Sequence, residues 1–502
     1  METLRVVDPS LLGITSEQIQ ALGPYFWMVG GTALATLFSA FHGKKTKFFV
    51  FLVTAVAAAI GLLASAKMVG MNSLPIFNGM MISDSFSHFF NVLVIFAALF
   101  TILCSHHYLD KEQLQYSEYY TLILFSTLGM MLMVAAMDLV SIFISLEIMS
   151  LSAYVLVGFR RADRKSNEAA MKYFVLGSAA SAIFLYGASI LYGATGVMSI
   201  PGILDFFTKN AGQMGPAFSL GAWLAIVGFL FKVAAVPFHM WTPDVYEGAP
   251  TPITGFMSTG IKAASFAVLI RLLDGLGFGK GLENALSGQL HNILWVIAVL
   301  SMLVGNIVAL KQNNLKRMFA FSAIAHTGYL LVGIIAAPNS EFGYGPLVLY
   351  LISYVAMTLG TFGVLTMISG KGDTRLNLQD LAGLSKRHPW LAITMGVFMF
   401  SMAGIPPTAG FVSKYYLFYS AIQAGEIWLV VLSVLCSVIS VYYYLRVLVF
   451  IYMKDSPESQ AGTHWIPAYG AMAIAMMVAI TLQIGIAPSR LLELSKWVTQ
   501  IH

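Results

Sequence analysis

Apolar runs of about 20 residues recur along the whole of this 502-residue sequence, and they decide its fold class. One such run matches one helical crossing of a ~30 Å hydrocarbon layer, whereas a membrane barrel would show alternating stretches of about ten residues. Only helices and closed barrels satisfy every backbone donor and acceptor in lipid. Composition points the same way. The chain is 58% hydrophobic and 10% charged, which leaves too little polar surface to cover a water-facing body of this size. The sequence therefore reads as an all-α polytopic membrane protein. Spans are predicted near 22–41, 47–66, 85–105, 117–136, 139–158, 170–192, 217–236, 254–273, 291–310, 318–336, 344–369, 390–424, 427–450 and 466–487, about 14 transmembrane helices. Residues 1–20 lack the basic start and cleavage site of a secretory leader, so the first run is expected to stay as a span.

Basic residues set the orientation. With the N-terminus outside, 18 of the 28 Lys and Arg fall in cytoplasmic loops, among them Lys44, Arg160, Lys316, Arg317 and Lys371. Seven fall in outer segments, including Arg5, Arg271 and Lys280. Both termini are then expected on the non-cytoplasmic side. The net charge of +5 is spread over short loops, and nucleic-acid binding would need a basic patch. Cys104 and Cys436 lie inside apolar runs, and no CxxC, HExxH, Walker A or GxGxxG motif is present. The chain is therefore expected to hold no iron–sulfur cluster, zinc site or dinucleotide fold of its own. The vicinal His106-His107 at a helix end is a weak metal-ligand candidate. The glycines of 277–281 read as a loop.

Two spans carry prolines in matching positions. Phe229, Phe231, Ala234 and Pro237 of span 7 align with Phe398, Phe400, Ala403 and Pro406 of span 12. An internal proline removes a backbone hydrogen bond and clashes with the preceding turn. The apolar stretch 390–424 would span about 52 Å as a straight helix, so it must bend or break at Pro406-Pro407. The end of span 5, residues 152–158, similarly matches the end of span 10, residues 327–333. Spans 4–8 thus mirror spans 9–13. An odd number of helices per unit inverts one copy against the other, the architecture of transporters with interrupted helices. The expected organisation is N-terminal helices over 1–116, two inverted five-helix repeats over 117–280 and 281–450, with broken helices 7 and 12, and a C-terminal helix over 451–502.

Three lysines and one acid fall inside spans: Lys232, Lys262, Lys414 and Glu147. A charge at mid-bilayer costs roughly 2.5–3.5 kcal/mol on insertion scales. Snorkelling is the bland alternative for the lysines, and it is hardest for Lys262, nine residues into its span. Lysine suits proton transfer because it can be charged or neutral when buried, whereas arginine stays protonated. At an effective dielectric near 20, a carboxylate ~7 Å away stabilises an ammonium by about 2.4 kcal/mol. Moving one charge against ~150 mV costs about 3.5 kcal/mol. The magnitudes are similar, so a changing Glu147–Lys232 separation can load or unload a proton against a working gradient. His239, just past the first break, is placed to relay between Lys232 and Lys262, or to cap the break. Glu147, Ser150 and Tyr154 share one helix face, as do Ser322, His326 and Tyr329. Such polar stripes hold water chains or act as interhelical glue.

The stretches SLEIMSLSAYVLVGFRR, SNEAAMKYFVLGSAASAIFLYGASILYGATG, FKVAAVPFHMWTPDVYEGAPTPIT, LKRMFAFSAIAHTGYLLVG and FMFSMAGIPPTAGFVSKYYLF resemble the N subunits of bacterial NADH-quinone oxidoreductase, respiratory complex I. The resemblance runs over roughly 115–450 in register and more loosely to the ends. The related Mrp-type cation/proton antiporters offer the alternative reading. The resemblance implies a membrane-arm subunit of the bacterial inner membrane that conducts protons and is bound to other membrane-arm subunits. NADH, FMN, iron–sulfur clusters and quinone would belong to partner subunits, with no redox centre in this chain. It implies that Glu147 pairs with Lys232 and that Lys262 links onward to Lys414, with His239 and His326 on the polar axis.

Overall fold

The computed structural model describes residues 15–41, 43–210, 214–279, 285–455 and 467–500. Arg5, Lys280 and Gly281 of the sequence reading lie outside them. In chain order the helices are α1 Ser16–Ala21, α2 Gly23–Ser39, α3 Lys44–Met68, α4 Ser85–Glu112, α5 Glu118–Ala135, α6 Leu139–Val157, α7 Arg164–Thr195, α8 Ile200–Lys209, α9 Pro216–Lys232, α10 Trp241–Gly248, α11 Thr251–Phe256 and α12 Lys262–Gly275. They continue as α13 Ala285–Ala309, α14 Leu315–Ala336, α15 Gly345–Ile368, α16 Leu384–Arg387, α17 Pro389–Ala403, α18 Ala409–Gln423, α19 Ile427–Met453, α20 Ala468–Ile486 and α21 Ser489–Val498. A short hairpin, β1 Leu74–Ile76 against β2 Met81–Ser83, precedes α4.

Among the described residues, eleven helices are long and apolar enough to cross a membrane. The three other predicted spans are held by the 17-residue α2, by the short α9, and by α17 continuing into α18. Polar caps start several of these helices. Asp84 accepts from Ser87 N before α4, and Asp138 from Val140 N and Ser141 N before α6. Each satisfies amides that an apolar sequence leaves bare.

Loops segregate to two faces. Arg160, Lys316 and Arg317 pair with Asp373 and Asp244 on one face, where residues 314 and 377 also bridge. The opposite face joins Arg271 to Asp84, His291 to Glu426, and Asp138 to Ser199. Alternation of the predicted spans requires this separation. The first and last described helices both lie on that second face, where Gln18 bonds Pro75 O and Lys496 sits 3.6 Å from the Phe342 ring centroid.

The α11–α12, α14 and α15 helices form the buried centre, while α3, α7, α19 and α20 form the rim. Rim positions exposed to the surroundings carry large apolar side chains such as Leu63, Met171, Val438 and Tyr442, as contact with lipid requires.

Both proline sites break their helices. α9 stops at Lys232, Ala234 takes a left-handed φ of +58°, Val236–Pro237 is cis, and α10 resumes at Trp241. α17 stops at Ala403, Gly404 has φ +85°, Pro406–Pro407 is cis, and α18 starts at Ala409. The first break comes earlier than proline alone dictates, because the chain leaves helical geometry at Ala234, three residues before Pro237. Lys232 is therefore the last residue of its half-helix rather than an interior one.

Candidate functional site: a buried lysine axis

The predicted lysines are all buried, with relative exposures of 3% for Lys232, 3% for Lys262 and 6% for Lys414. None snorkels to a face. Each ammonium is held by two neutral acceptors. Lys232 Nζ donates to Ser150 Oγ at 2.9 Å and to Tyr154 OH at 3.4 Å. Lys262 Nζ donates to Ala323 O at 2.7 Å and to Thr327 Oγ1 at 3.1 Å. Lys414 Nζ donates to Met402 O at 3.1 Å and to Ser437 Oγ at 2.9 Å. An ammonium has three protons, so each lysine keeps one for water or a passing acceptor. Among the described residues no carboxylate comes within 4.0 Å of any of the three. A lysine locked on a carboxylate would hold its proton; these are not locked.

The helix breaks place two of these groups. A helix C-terminus carries partial negative charge on its free carbonyls and favours a nearby cation. Lys232 sits at that end of α9, and Lys414 reaches back from α18 to Met402 at that end of α17. Gly404 makes the second approach feasible. Its φ of +85° disfavours any side chain, and a Cβ there would come 3.3–3.4 Å from the Lys414 side chain. Lys262 is placed differently. A π-turn over Met257–Ile261 leads directly into it, a local departure that is frequent at functional sites.

Thr327 joins the first lysine to the second. Its Oγ1 accepts from Lys262 and donates to Val233 O at 2.6 Å, the residue after Lys232. Aromatic rings then lead onward. Lys262 Nζ lies 5.1 Å from the Tyr354 ring centroid, and the His326 ring lies 5.0 Å from the same ring. His326 is 5.9 Å from Tyr329, whose ring faces Lys414 Nζ at 5.4 Å. His326 thus sits between Lys262 and Lys414. It is 1% exposed, with Nδ1 on Tyr350 OH at 2.7 Å and Nε2 on Tyr444 OH at 3.1 Å.

Glu147 and His239 are more loosely engaged. Glu147 lies one turn before Ser150 on α6, and its Oε1 is buried without a hydrogen-bond partner among the described residues. Ser150, one turn along α6 from Glu147, takes the Lys232 ammonium, and among the described residues no ion pair joins Glu147 to Lys232 within 4.0 Å. His239 is half-buried in the turn between α9 and α10, with Nδ1 buried and unpartnered, and it bonds to neither lysine among the described residues. His106 stacks on Phe51 at 4.4 Å and meets Tyr120 OH at 3.2 Å. Among the described residues no group of three or more His, Cys, Asp or Glu could hold a metal ion.

Residues 136–440 match the family described as NADH:quinone oxidoreductase/Mrp antiporter, TM. NADH-quinone oxidoreductase subunit N of Trichlorobacter lovleyi is 46% identical over 84% of this chain and 84% of its own. Subunit N 1 of Solibacter usitatus is 39% identical over 93% of each. The chain belongs to the subunit N family of NADH-quinone oxidoreductase. A chain of respiratory complex I from Thermus thermophilus superposes with a TM-score of 0.77 at 32% identity, covering 94% of this chain and 99% of that one. The fold extends further. A chain of the Mrp complex from a Dietzia species aligns with a TM-score of 0.83 at 20% identity over 97% of each chain, a likeness of fold alone. As a subunit N family member, the chain is a membrane-arm subunit and part of an NADH:quinone oxidoreductase complex.

For a subunit N chain, the sequence reading found the charges but missed most of what holds them. Thr327, Tyr350, Tyr354, Ser437 and Tyr444 lie inside otherwise apolar helices. The faint signals were the i, i+4 tyrosines 350 and 354 and the hydroxyl-bearing stripe 437, 440, 444 on one face of α19.

Proposed function

We propose that this chain translocates protons within the membrane arm of a bacterial NADH-quinone oxidoreductase. Electron transfer from NADH to quinone in partner subunits drives it. FMN, iron–sulfur clusters and the quinone site belong to those partners. The chain lies in the inner membrane with both termini on the non-cytoplasmic side. The observation that carries this reading is a row of buried groups: Lys232, the neighbouring Val233 O bonded by Thr327, Thr327 bonded by Lys262, and then the Tyr354, His326 and Tyr329 rings in steps of 5.0–5.9 Å to Lys414.

Each station does a definable job. Lys232 and Lys414 take up a proton at the negative ends of half-helices. The hydroxyls of Thr327, Tyr350 and Tyr444 can each donate and accept, the last two on His326, and water fills the gaps between these groups to complete the proton wire. His326, donor and acceptor at its two nitrogens, passes charge between Lys262 and Lys414. Glu147 stabilises the charged form of Lys232 across Ser150, and His239 serves water at the break. The two broken-helix units, 117–280 and 281–450, supply the two half-paths in inverted orientation.

The test is Lys232→Met in the assembled complex, reconstituted in vesicles. The proposal expects quinone reduction to persist with fewer protons moved per electron. An unchanged proton-to-electron ratio would leave the lysine with a structural role only.

A further inference from the structure

The second half of the first broken helix, α10, is clamped from one face by a ring of charges that the lysine axis does not use. Arg160 NH2 donates to Gly248 O at 3.0 Å, and Lys316 Nζ donates to Ala249 O. Both cations thus grip the C-terminal carbonyls of α10, and both are buried, at 6% and 1% exposure. Both also converge on one carboxylate. Asp373 Oδ2 lies 3.2 Å from Arg160 NH1 and 3.1 Å from Lys316 Nζ.

Asp373 is brought there by an unusual turn. Gly372 and Asp373 both have left-handed φ, +71° and +55°, and Gly372 N bonds both carboxylate oxygens of Glu112 at 2.8 and 2.9 Å. A non-glycine residue held in that region marks a position the surroundings over-determine. The turn lies between α15 and α16, in the second sequence repeat, whereas α10 belongs to the first. One carboxylate therefore fixes a loop of one unit to the broken helix of the other.

The clamp borders a cavity of about 640 Å³, lined by Glu112, Arg160, Glu247, Lys316 and Asp373 among others. Arg160 Nε is buried without a hydrogen-bond partner, and Asp373 Oδ1 and the neighbouring Thr251 Oγ1 are buried side by side without closing a well-formed hydrogen bond. Buried polar atoms in this condition call for water. Lys316 also starts α14, seven residues before Ala323, which accepts from Lys262. That is about 10 Å along the helix. The cavity and the lysine axis are thus two turns apart.

We propose that Asp373 is the latch of a water gate: it orders Arg160 and Lys316, these hold the end of α10, and release of the latch admits water from this face toward Lys262. The inference rests on the proton-conduction reading for its purpose, though not for its geometry. Asp373 is a positioning residue. It touches neither axis lysine among the described contacts and acts through the two cations.

The test uses the whole complex in inverted membrane vesicles, with Thr251→Cys as the reporter and a membrane-impermeant maleimide as the probe. The native Cys104 and Cys436 are buried. With the latch intact, labelling of the reporter is slow. Adding Asp373→Asn should speed it at least tenfold, and Lys316→Met should do the same from the other end of the latch. Equal labelling rates with and without either change overturn the proposal. If Asp373→Asn does not assemble, Lys316→Met alone decides it. Adding Lys232→Met instead separates the two readings. It should leave labelling slow while lowering proton movement; a failure to lower proton movement sinks conduction and leaves the latch standing.

Discussion

Replacing Thr327 with valine isolates one link of the axis with little change in shape. Thr327 Oγ1 accepts from the Lys262 ammonium at 3.1 Å and donates to Val233 O at 2.6 Å. Valine fills the same space and makes neither bond. A hydrogen bond to a charged group contributes about 1.5–3 kcal/mol. At 1.36 kcal/mol per tenfold, its loss slows a proton step through this point by about 10- to 150-fold. Val233 O is also left without its hydroxyl partner at the helix break, at a cost of about 1–3 kcal/mol. The assay is acidification of inverted vesicles energised by NADH, read against quinone reduction in the same sample. Thr327→Val should assemble, keep reducing quinone and lose most proton movement through this chain. Thr327→Ser keeps the hydroxyl and should retain it. If valine pumps as well as threonine in an assembled complex, Thr327 is packing and the link from Lys232 to Lys262 is wrong.

Three further outcomes are expected. Arg271 is 2% exposed and bonds both oxygens of Asp84 at 2.8 and 2.9 Å, so Arg271→Leu strands a half-buried carboxylate. Loss of about 3–5 kcal/mol should appear as a lower unfolding temperature in mild detergent, and an unchanged melt would contradict it. Gly404→Ala places a side chain at φ +85° beside Lys414, costing about 1–2 kcal/mol, and should reduce proton movement more than it reduces assembly. The third concerns acid. Burial raises the Asp373 carboxyl, but Lys316 and Arg160 outweigh it and hold the group below its usual 3.8. A depressed folded value means that the stabilisation is fully present above about pH 5 and fades as pH falls through the carboxylate range. Asp373→Asn should therefore be less heat-stable than the native chain at pH 7 and lose that difference in acid; a gap independent of pH would argue against an ionised latch.

The spans and both breaks were legible because each is written locally. Length and apolarity give a crossing, and proline gives an interruption. What escaped the sequence is set by contacts between distant segments. The helix ends at Lys232 because Ala234 turns left-handed, which alanine does not do unprompted. Val236 N finds Ser301 Oγ at 2.9 Å across 65 positions, a capping partner no local pattern announces. The π-turn before Lys262 has no composition of its own. Glu147 and Lys232 were expected to pair; among the described residues no ion pair joins them within 4.0 Å, and the ammonium goes to Ser150 instead. Nothing in the sequence singles out Asp373, because its two cations lie 57 and 213 positions away in the chain.

The lysine in the middle of the axis gives the most direct test of the whole account. Lys262→Met keeps the length of the side chain and removes its proton. The measurement is protons moved per electron by the reconstituted complex under NADH, with quinone reduction recorded in parallel. A lower ratio is expected, with quinone reduction still running. A native ratio from a fully assembled Lys262→Met complex would contradict it.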